Sequence, residues 1–359
     1  MSESILVVGP SWVGDMIMAQ SLYKALRFKH PKASIDVLAP EWSAGILQRM
    51  PEVRHVIHMP VGHGVFGWAS RKQLGHSMRG HSIRGQSVRG PYDQAYVLPN
   101  SWKSALVPWF AGIPHRIGYL GEWRLGLLTQ VHGLNRKRQP RLVDRYVALS
   151  GLEFNESFMP RLAINEQAQA TLLGELGIQQ HRPILALCAG AEFGPAKRWP
   201  ARHYAALGLH YLQQGWQVWL MGSANDASTN QEILRELGCL NEVPRDGEHR
   251  NGTSPTDVVD LAGKTSLPQA ADLLALASLV VTNDSGLMHL AAAVGAPVVA
   301  VYGSSDPGYT PPLSARARVA RLELPCSPCF KKTCPLGHTH CLTELKPQQV
   351  LESAKSLKL

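Results

Sequence analysis

The stretch from Val281 to Pro297, VTNDSGLMHLAAAVGAP in one-letter form, constrains this chain more than any other. An apolar run, Leu273 to Val281, meets a polar turn, and a helix-forming run begins at once. This spacing predicts a strand–turn–helix junction whose first helical residues include Ser285 and Gly286. Backbone N–H groups at such a helix start lack intrahelical partners and lie at the positive end of the helix dipole, so the junction suits a phosphate. Asp284 stands just before that anion seat, where a carboxylate can accept hydrogen bonds from hydroxyls. His289 follows Ser285 by four residues and shares its helical face. An anion seat with a hydroxyl acceptor beside it describes a nucleotide-sugar site better than a bare nucleotide site. An N-capped helix in an α/β core would look the same when read alone.

The rest of the chain repeats the junction. Ser4–Val8, Ile35–Ala39, Val53–Met59 and Gln94–Leu98 read as strands, with Asp15–Lys29 and Ala44–Met50 helix-like between them. The alternation restarts with Ile184–Ala189, Pro200–Gln214, Gln217–Met221, Ala227–Leu237, Leu273–Val281, Leu287–Val294 and Val298–Tyr302. Strands alternating with helices imply α/β units with mostly parallel sheets. The expected architecture is two doubly wound, Rossmann-like domains, 1–165 and 166–359, divided in the polar connection around Pro160. They are expected to face each other across a cleft, with ligands at the carboxyl ends of the strands.

A chain of 359 residues that is 45% hydrophobic can bury a sizeable core. No run approaches the ~18 apolar residues of a membrane-spanning helix. The N-terminus lacks a basic segment and enters a strand at once, which argues against a signal peptide. A cytoplasmic location is therefore expected, with the six cysteines reduced. The net charge of +9 fits nucleic acid, an anionic membrane or an acidic substrate. Nucleic acid is the weakest of these, for there is no helix-turn-helix signature, RNP motif or dense Lys/Arg run.

Two further loops follow strands. Gly9-Pro-Ser-Trp-Val-Gly-Asp15 opens a helix, but it lacks the Gly-x-Gly-x-x-Gly spacing of a dinucleotide fold and carries Asp15 where a phosphate loop has Lys. A carboxylate there repels phosphate and suits a neutral hydroxyl, or it serves only as an early-turn acid on the helix dipole. In the second half, Cys188-Ala-Gly-Ala-Glu-Phe-Gly-Pro-Ala-Lys197-Arg-Trp-Pro200 sets a cation just before a helix. Lys197 there can offset charge on a departing pyrophosphate, or be an ordinary surface lysine. Met221–Asp226 and Leu261–Leu267 are further strand-end loops able to frame a nucleoside.

Gly9–Asp15, Leu98-Pro-Asn-Ser-Trp-Lys-Ser104, Lys197-Arg-Trp-Pro200 and Asp284-Ser-Gly-Leu-Met-His289, taken in order, resemble the bacterial ADP-heptose:lipopolysaccharide heptosyltransferases. The resemblance covers nearly the whole chain. It implies a GT-B fold, ADP-L-glycero-D-manno-heptose as donor, and the heptosylated Kdo–lipid A inner core as acceptor. It also implies inversion at the anomeric carbon with no catalytic metal and no cofactor. By motif position Asp15 matches the catalytic base and Lys197 a donor-phosphate ligand. Asp284, Ser285, Gly286 and His289 match the donor-binding signature, and Asn225 and Asp226 lie where an acidic nucleoside contact is common. Lys103, Arg116 and Arg124 are candidate contacts for the anionic, lipid-anchored acceptor. That acceptor also gives the basic balance a reason and places the enzyme peripherally on the anionic inner face of the cytoplasmic membrane. A related transferase using another nucleotide sugar, and a non-catalytic lipopolysaccharide-binding protein of the same fold, are the competing readings.

The pentad repeat and the extreme C-terminus stand outside the resemblance, and a cysteine cluster carries a further signal. Cys326, Cys329, Cys334 and Cys341 are compatible with a tetrahedral structural zinc. Their pairs lie closer together in sequence than in common zinc ribbons, so reduced thiols are the preferred expectation. Cys188 and Cys239 read as core residues. Residues 75–89 form three tandem pentads, GHSMR, GHSIR and GQSVR. A five-residue period fits neither helix nor strand, so the repeat is expected to be a surface loop. Arg79, Arg84 and Arg89 could otherwise form a basic arm for an anionic membrane or substrate.

Overall fold

A computed structural model describes residues 3–62, 64–79, 92–240 and 257–357. The chain divides into two compact units, Met1–Ala163 and Ile164–Leu359. The first contains β1 (Ser4–Val8), β2 (Ser34–Ala39), β3 (Val53–His58), β4 (Gln94–Val97), β5 (His115–Tyr119) and β6 (Gln130–His132). The second contains β7 (Ile184–Cys188), β8 (Gln217–Met221), β9 (Val258–Asp260), β10 (Leu279–Asn283), β11 (Val298–Val301) and β12 (Ala317–Ala320). Each unit builds one six-stranded sheet, ordered β3-β2-β1-β4-β5-β6 in the first and β12-β11-β10-β7-β8-β9 in the second. The paired strands run parallel.

Counted from its own first strand, each sheet has the order 3-2-1-4-5-6 of a doubly wound fold, as the alternation implies. Strands covered on both faces become continuously apolar. In β1, Ile5, Leu6 and Val7 are fully buried, and so are all five residues of β7. Chain direction reverses its spread between β1 and β4 in one sheet and between β7 and β10 in the other. Ligands of such sheets bind outside the carboxyl ends of strands at that point. The four loops there are the four that carry the resemblance.

The structure corrects three readings. Leu273–Val281 is not one strand: a helix runs Leu267–Leu274 and β10 begins only at Leu279. Ser266 and Gln269 form a capping box for that helix, and its Leu and Ala residues favour helix until the β-branched pair Val280-Val281 takes over. Strands β5, β6, β9 and β12 were not legible, being short or half polar.

The third correction concerns the repeat. Gly75–Ser77 of the first pentad belong to a helix, Trp68–Ser77, with Leu74, Gly75 and Met78 buried. A Cβ on Gly75 would lie 2.5 Å from Phe110 Cβ and 2.7 Å from the Val107 carbonyl oxygen. Arg79 Nε donates to the Phe110 carbonyl at 2.8 Å. The first pentad is thus packed against the helix Leu106–Phe110, because its glycine permits close helix contact. The other two pentads lie outside the described residues. Among the described residues no helix is long and apolar enough to cross a membrane.

Candidate active site

In the second unit, Asn283 ends β10 and organises the loops around it. It is fully buried. Its Oδ1 accepts from the Trp199 backbone N–H and the Tyr204 hydroxyl, each at 3.0 Å. Its Nδ2 donates to the Ala189 carbonyl at 2.7 Å. One side chain thereby ties the end of β7, the segment after Lys197 and the start of the phosphate-type junction. Sequence reasoning passed over Asn283; its signal was a polar residue ending an otherwise apolar strand.

Beside it, Lys197 Nζ and Asp284 Oδ2 form an ion pair at 2.5 Å, with the side chains only 18% and 5% exposed. Two expected donor ligands are therefore in contact. Lys197 also lies 5.1 Å from the centre of the Phe193 ring, a cation–π distance. Ser285 caps the helix Gly286–Ala293 without a side-chain cap hydrogen bond, while its Oγ lies 3.4 Å from Thr282 Oγ1. The first-turn N–H groups of this helix are thus not taken up by the capping side chain.

His289, one turn on, is 5% exposed. Burial pushes its pKa down to about 4, with Asp284 opposing and Lys197 adding to the shift. At neutral pH it is an uncharged imidazole that can donate one hydrogen bond but cannot neutralise a phosphate. Lys197 is the cationic side chain beside it.

The turn Pro195–Lys197 is held from the C-terminal side. Ala196 N–H donates to the Lys332 carbonyl at 3.0 Å, and Phe330 N–H to the Ser304 carbonyl at 2.6 Å. Gly194 has φ +150°, and a Cβ there would lie 2.6 Å from the Lys332 oxygen. The cysteine segment is therefore a clasp behind the Lys197 turn. Cys326, Cys329, Cys334 and Cys341, with Ala196 and Ser304, line one cavity of about 20 Å³. None of the four is in a disulfide, and among the described residues no group of three or more His, Cys, Asp or Glu is arranged to hold a metal. Cys188 is fully buried; the Cys239 side chain lies outside the described set.

Asp226 Oδ2 accepts from the Ser223 N–H and Oγ–H, both at 2.8 Å, forming a capping box. Asn225 is exposed beside it.

In the first unit, Asp15 lies in the first turn of the helix Val13–Lys29, half-buried, after a Trp12 cap with no side-chain cap bond. Gly9 lets this turn close over Met16, whose Cε would be 2.9 Å from a Cβ at that position. The acceptor expectations need correction. Arg124 is fully buried, donating from Nη1 to the Pro99 carbonyl at 2.6 Å and to Ser104 Oγ at 3.2 Å, and from Nη2 to the Tyr119 carbonyl. It braces the Leu98–Ser104 loop from beneath, and burial lowers its pKa to about 10. Arg116 is half-buried and gives two donors to the Leu127 and Ile113 carbonyls, each at 2.5 Å. Arg124 is structural because a buried guanidinium needs acceptors and neighbouring carbonyls supply them, while the half-buried Arg116 is partly satisfied in the same way. Lys103, with Nζ 3.4 Å from the Val65 carbonyl oxygen, is less tightly held.

Comparison with known proteins agrees with this geometry. Residues 82–340 match the model of glycosyltransferase family 9 (heptosyltransferase). The chain is 44% identical to lipopolysaccharide heptosyltransferase 2 of Escherichia coli K12, covering 99% of this chain and 98% of that one. It is 43% identical to lipooligosaccharide heptosyltransferase 2 of Haemophilus influenzae, over 99% of both. The solved E. coli ADP-heptose lps heptosyltransferase II superposes with a TM-score of 0.79 at 43% identity, over 99% of this chain and 98% of that one. A glycosyl transferase family 9 structure from Veillonella parvula, at 20% identity and a TM-score of 0.80, shares the fold. With two parallel α/β sheets of the GT-B type, the chain belongs to glycosyltransferase family 9, the heptosyltransferases.

Proposed function

We propose that this enzyme transfers L-glycero-D-manno-heptose from ADP-heptose to the first heptose of the heptosyl-Kdo-lipid A inner core, with inversion, during lipopolysaccharide core biosynthesis. The observation that carries the reading is the Lys197–Asp284 pair beside the helix start at Gly286, on the switch-point loops of the second sheet. Lys197 and the first-turn N–H groups bind the diphosphate, and Asp284 accepts from sugar hydroxyls. His289 adds a neutral donor, and Asn225 with Asp226 borders the nucleoside. Lys103 meets the acceptor's anionic groups. Likeness to relatives named lipopolysaccharide and lipooligosaccharide heptosyltransferase 2, and to a solved ADP-heptose lps heptosyltransferase II, supports the acceptor and donor classes.

Asp15 is the proposed base. A free aspartate with a pKa of ~3.9 barely deprotonates a resting sugar hydroxyl. It becomes effective as that oxygen bonds to the oxocarbenium-like anomeric carbon and its proton acidifies. The new C–O bond forms as the bond to phosphate breaks, and its electron pair leaves with ADP. Lys197 and the helix N–H groups stabilise that developing charge. The acceptor is lipid-anchored, so the enzyme works peripherally on the inner membrane surface. ADP release measured with ADP-heptose and truncated acceptors tests the reading: turnover is expected only with ADP-heptose and a core that already carries one heptose. Equal turnover with another nucleotide sugar would overturn the donor assignment.

A further inference from the structure

The first unit carries an aromatic ledge that the proposed chemistry does not use. Val65, Phe66, Trp68 and Trp109 are 54%, 49%, 43% and 40% exposed. The rings of Phe66, Trp68 and Trp102 stack nearly parallel, with centroids 6.0–6.5 Å apart. Phe110 lies edge-on to both Trp68 and Trp109, at 5.0 and 4.8 Å. The ledge is held from within: Arg71, only 5% exposed, donates from Nε to the Phe66 carbonyl at 2.7 Å, and from Nη1 to the Lys103 carbonyl at 3.4 Å. Its guanidinium serves the fold, and the apolar groups are what face outward.

The charge on the ledge's own segment has one sign. Among the described residues between Glu52 and Asp93 there is no Asp or Glu, and Arg79, just past the helix Trp68–Ser77, is exposed. Lys72 is exposed on the ledge's own helix, and Lys103 adjoins Val65. One carboxylate, Glu122 from the β5–β6 connection, borders the ledge at Trp102, whose backbone N–H donates to it at 2.9 Å. Contiguous exposed apolar groups mark interaction surfaces, and Trp rings beside Lys/Arg suit the interfacial zone of an anionic membrane.

We infer that Val65, Phe66, Trp68 and Trp109, with Lys72 beside them, form the surface by which this enzyme docks on an anionic lipid bilayer. The inference rests on the proposed lipid-anchored acceptor and assigns its membrane contact to particular residues. A saccharide would ask for several carboxylate acceptors for its hydroxyls, and the described residues of this segment between Glu52 and Asp93 supply none. A second copy would bring like charge against like.

The test is co-sedimentation of the full-length enzyme with phosphatidylethanolamine vesicles, with and without phosphatidylglycerol and free of any lipopolysaccharide. The unaltered protein is expected to bind the anionic vesicles and to be released by salt. Val65→Ser/Phe66→Ser should weaken binding by roughly ten-fold or more, and Lys72→Glu by several-fold, from the lost apolar burial and the reversed charge. Turnover of a delipidated acceptor should remain unchanged in both. Quenching of Trp fluorescence by brominated lipid provides a readout in the unaltered protein should the double variant fold poorly. Binding that ignores lipid charge and both variants would overturn the inference. So would intact vesicle binding with lost delipidated-acceptor turnover, which would make the ledge a sugar subsite. Concentration-dependent self-association without vesicle binding would make it an interface between copies. Should ADP-heptose not be a donor, the functional reading fails while vesicle binding is unaffected, so the two failures are distinguishable.

Discussion

The two units share one strand order and differ at the switch point. At the end of β1 the chain presents a half-buried carboxylate, Asp15, on a turn with no Lys or Arg between Gly9 and Met16. At the ends of β7 and β10 it presents a largely buried ion pair, a helix start without a side-chain cap bond and a neutral histidine. The first arrangement suits taking a proton from a hydroxyl; the second suits holding an anion. The lesson is that the sheet provides the place and the loops provide the chemistry, so each unit can be disabled separately.

Asp15→Asn is the largest expected effect. It should lower kcat by about 10²–10⁴-fold, the range for losing a general base, measured as ADP release at saturating donor. Near-normal turnover would remove Asp15 from the chemistry and leave it a helix-dipole acid.

Lys197→Ala breaks the second unit's ion pair and strands Asp284, which is 5% exposed. Removing one partner of a buried pair costs several kcal/mol; with Lys197 partly exposed, about 2–4 kcal/mol is expected, read by denaturant unfolding. Lys197→Ala/Asp284→Asn should recover part of that stability without recovering activity. Failure to recover any would mean that the pair is not the source of the loss.

A pair of glycines sharpens the contrast further. Gly194→Ala meets the Lys332 backbone oxygen and an unfavourable φ, so about 1–3 kcal/mol of stability should be lost. Gly9→Ala meets only the flexible end of Met16 and should cost less. Equal losses in thermal unfolding would contradict the clasp described behind Lys197.

The smallest effect is in pH dependence. Burial moves His289 and His203 each from 6.5 to about 4. Between those values the unfolded chain binds more protons than the folded one, so stability rises with pH through this window and is lost as pH falls from 6.5 toward 4. His289→Gln should flatten the slope by about one proton, leaving the His203 share. An unchanged slope would mean that His289 is not held neutral.

The sequence made the fold legible because buried parallel strands must be continuously apolar and their switch-point loops carry unusual residues. Asp15, Lys197 and Asp284 stood out as charges where glycine-rich turns end strands. Asn283, Arg71 and the true role of Arg124 did not, because a buried polar residue is recognised by its partners, and those partners are distant in sequence. Arg124 reads in sequence as a contact for an anionic acceptor, yet the carbonyls of Pro99 and Tyr119 enclose it. The first pentad looked like a loop because its period matches no element, yet Gly75 is what lets its helix close on Phe110. The Leu273–Val281 run shows the same limit: apolar content marks burial and leaves helix and strand undistinguished.

The division of labour between the units is tested most directly by calorimetric titration of ADP into Asp15→Asn and Lys197→Ala side by side. ADP is expected to bind the first as it binds the unaltered enzyme and to bind the second at least about ten-fold more weakly, the loss of a charge-assisted contact. Weakened binding in Asp15→Asn, with binding in Lys197→Ala unchanged, would place the nucleotide on the first unit and contradict that division.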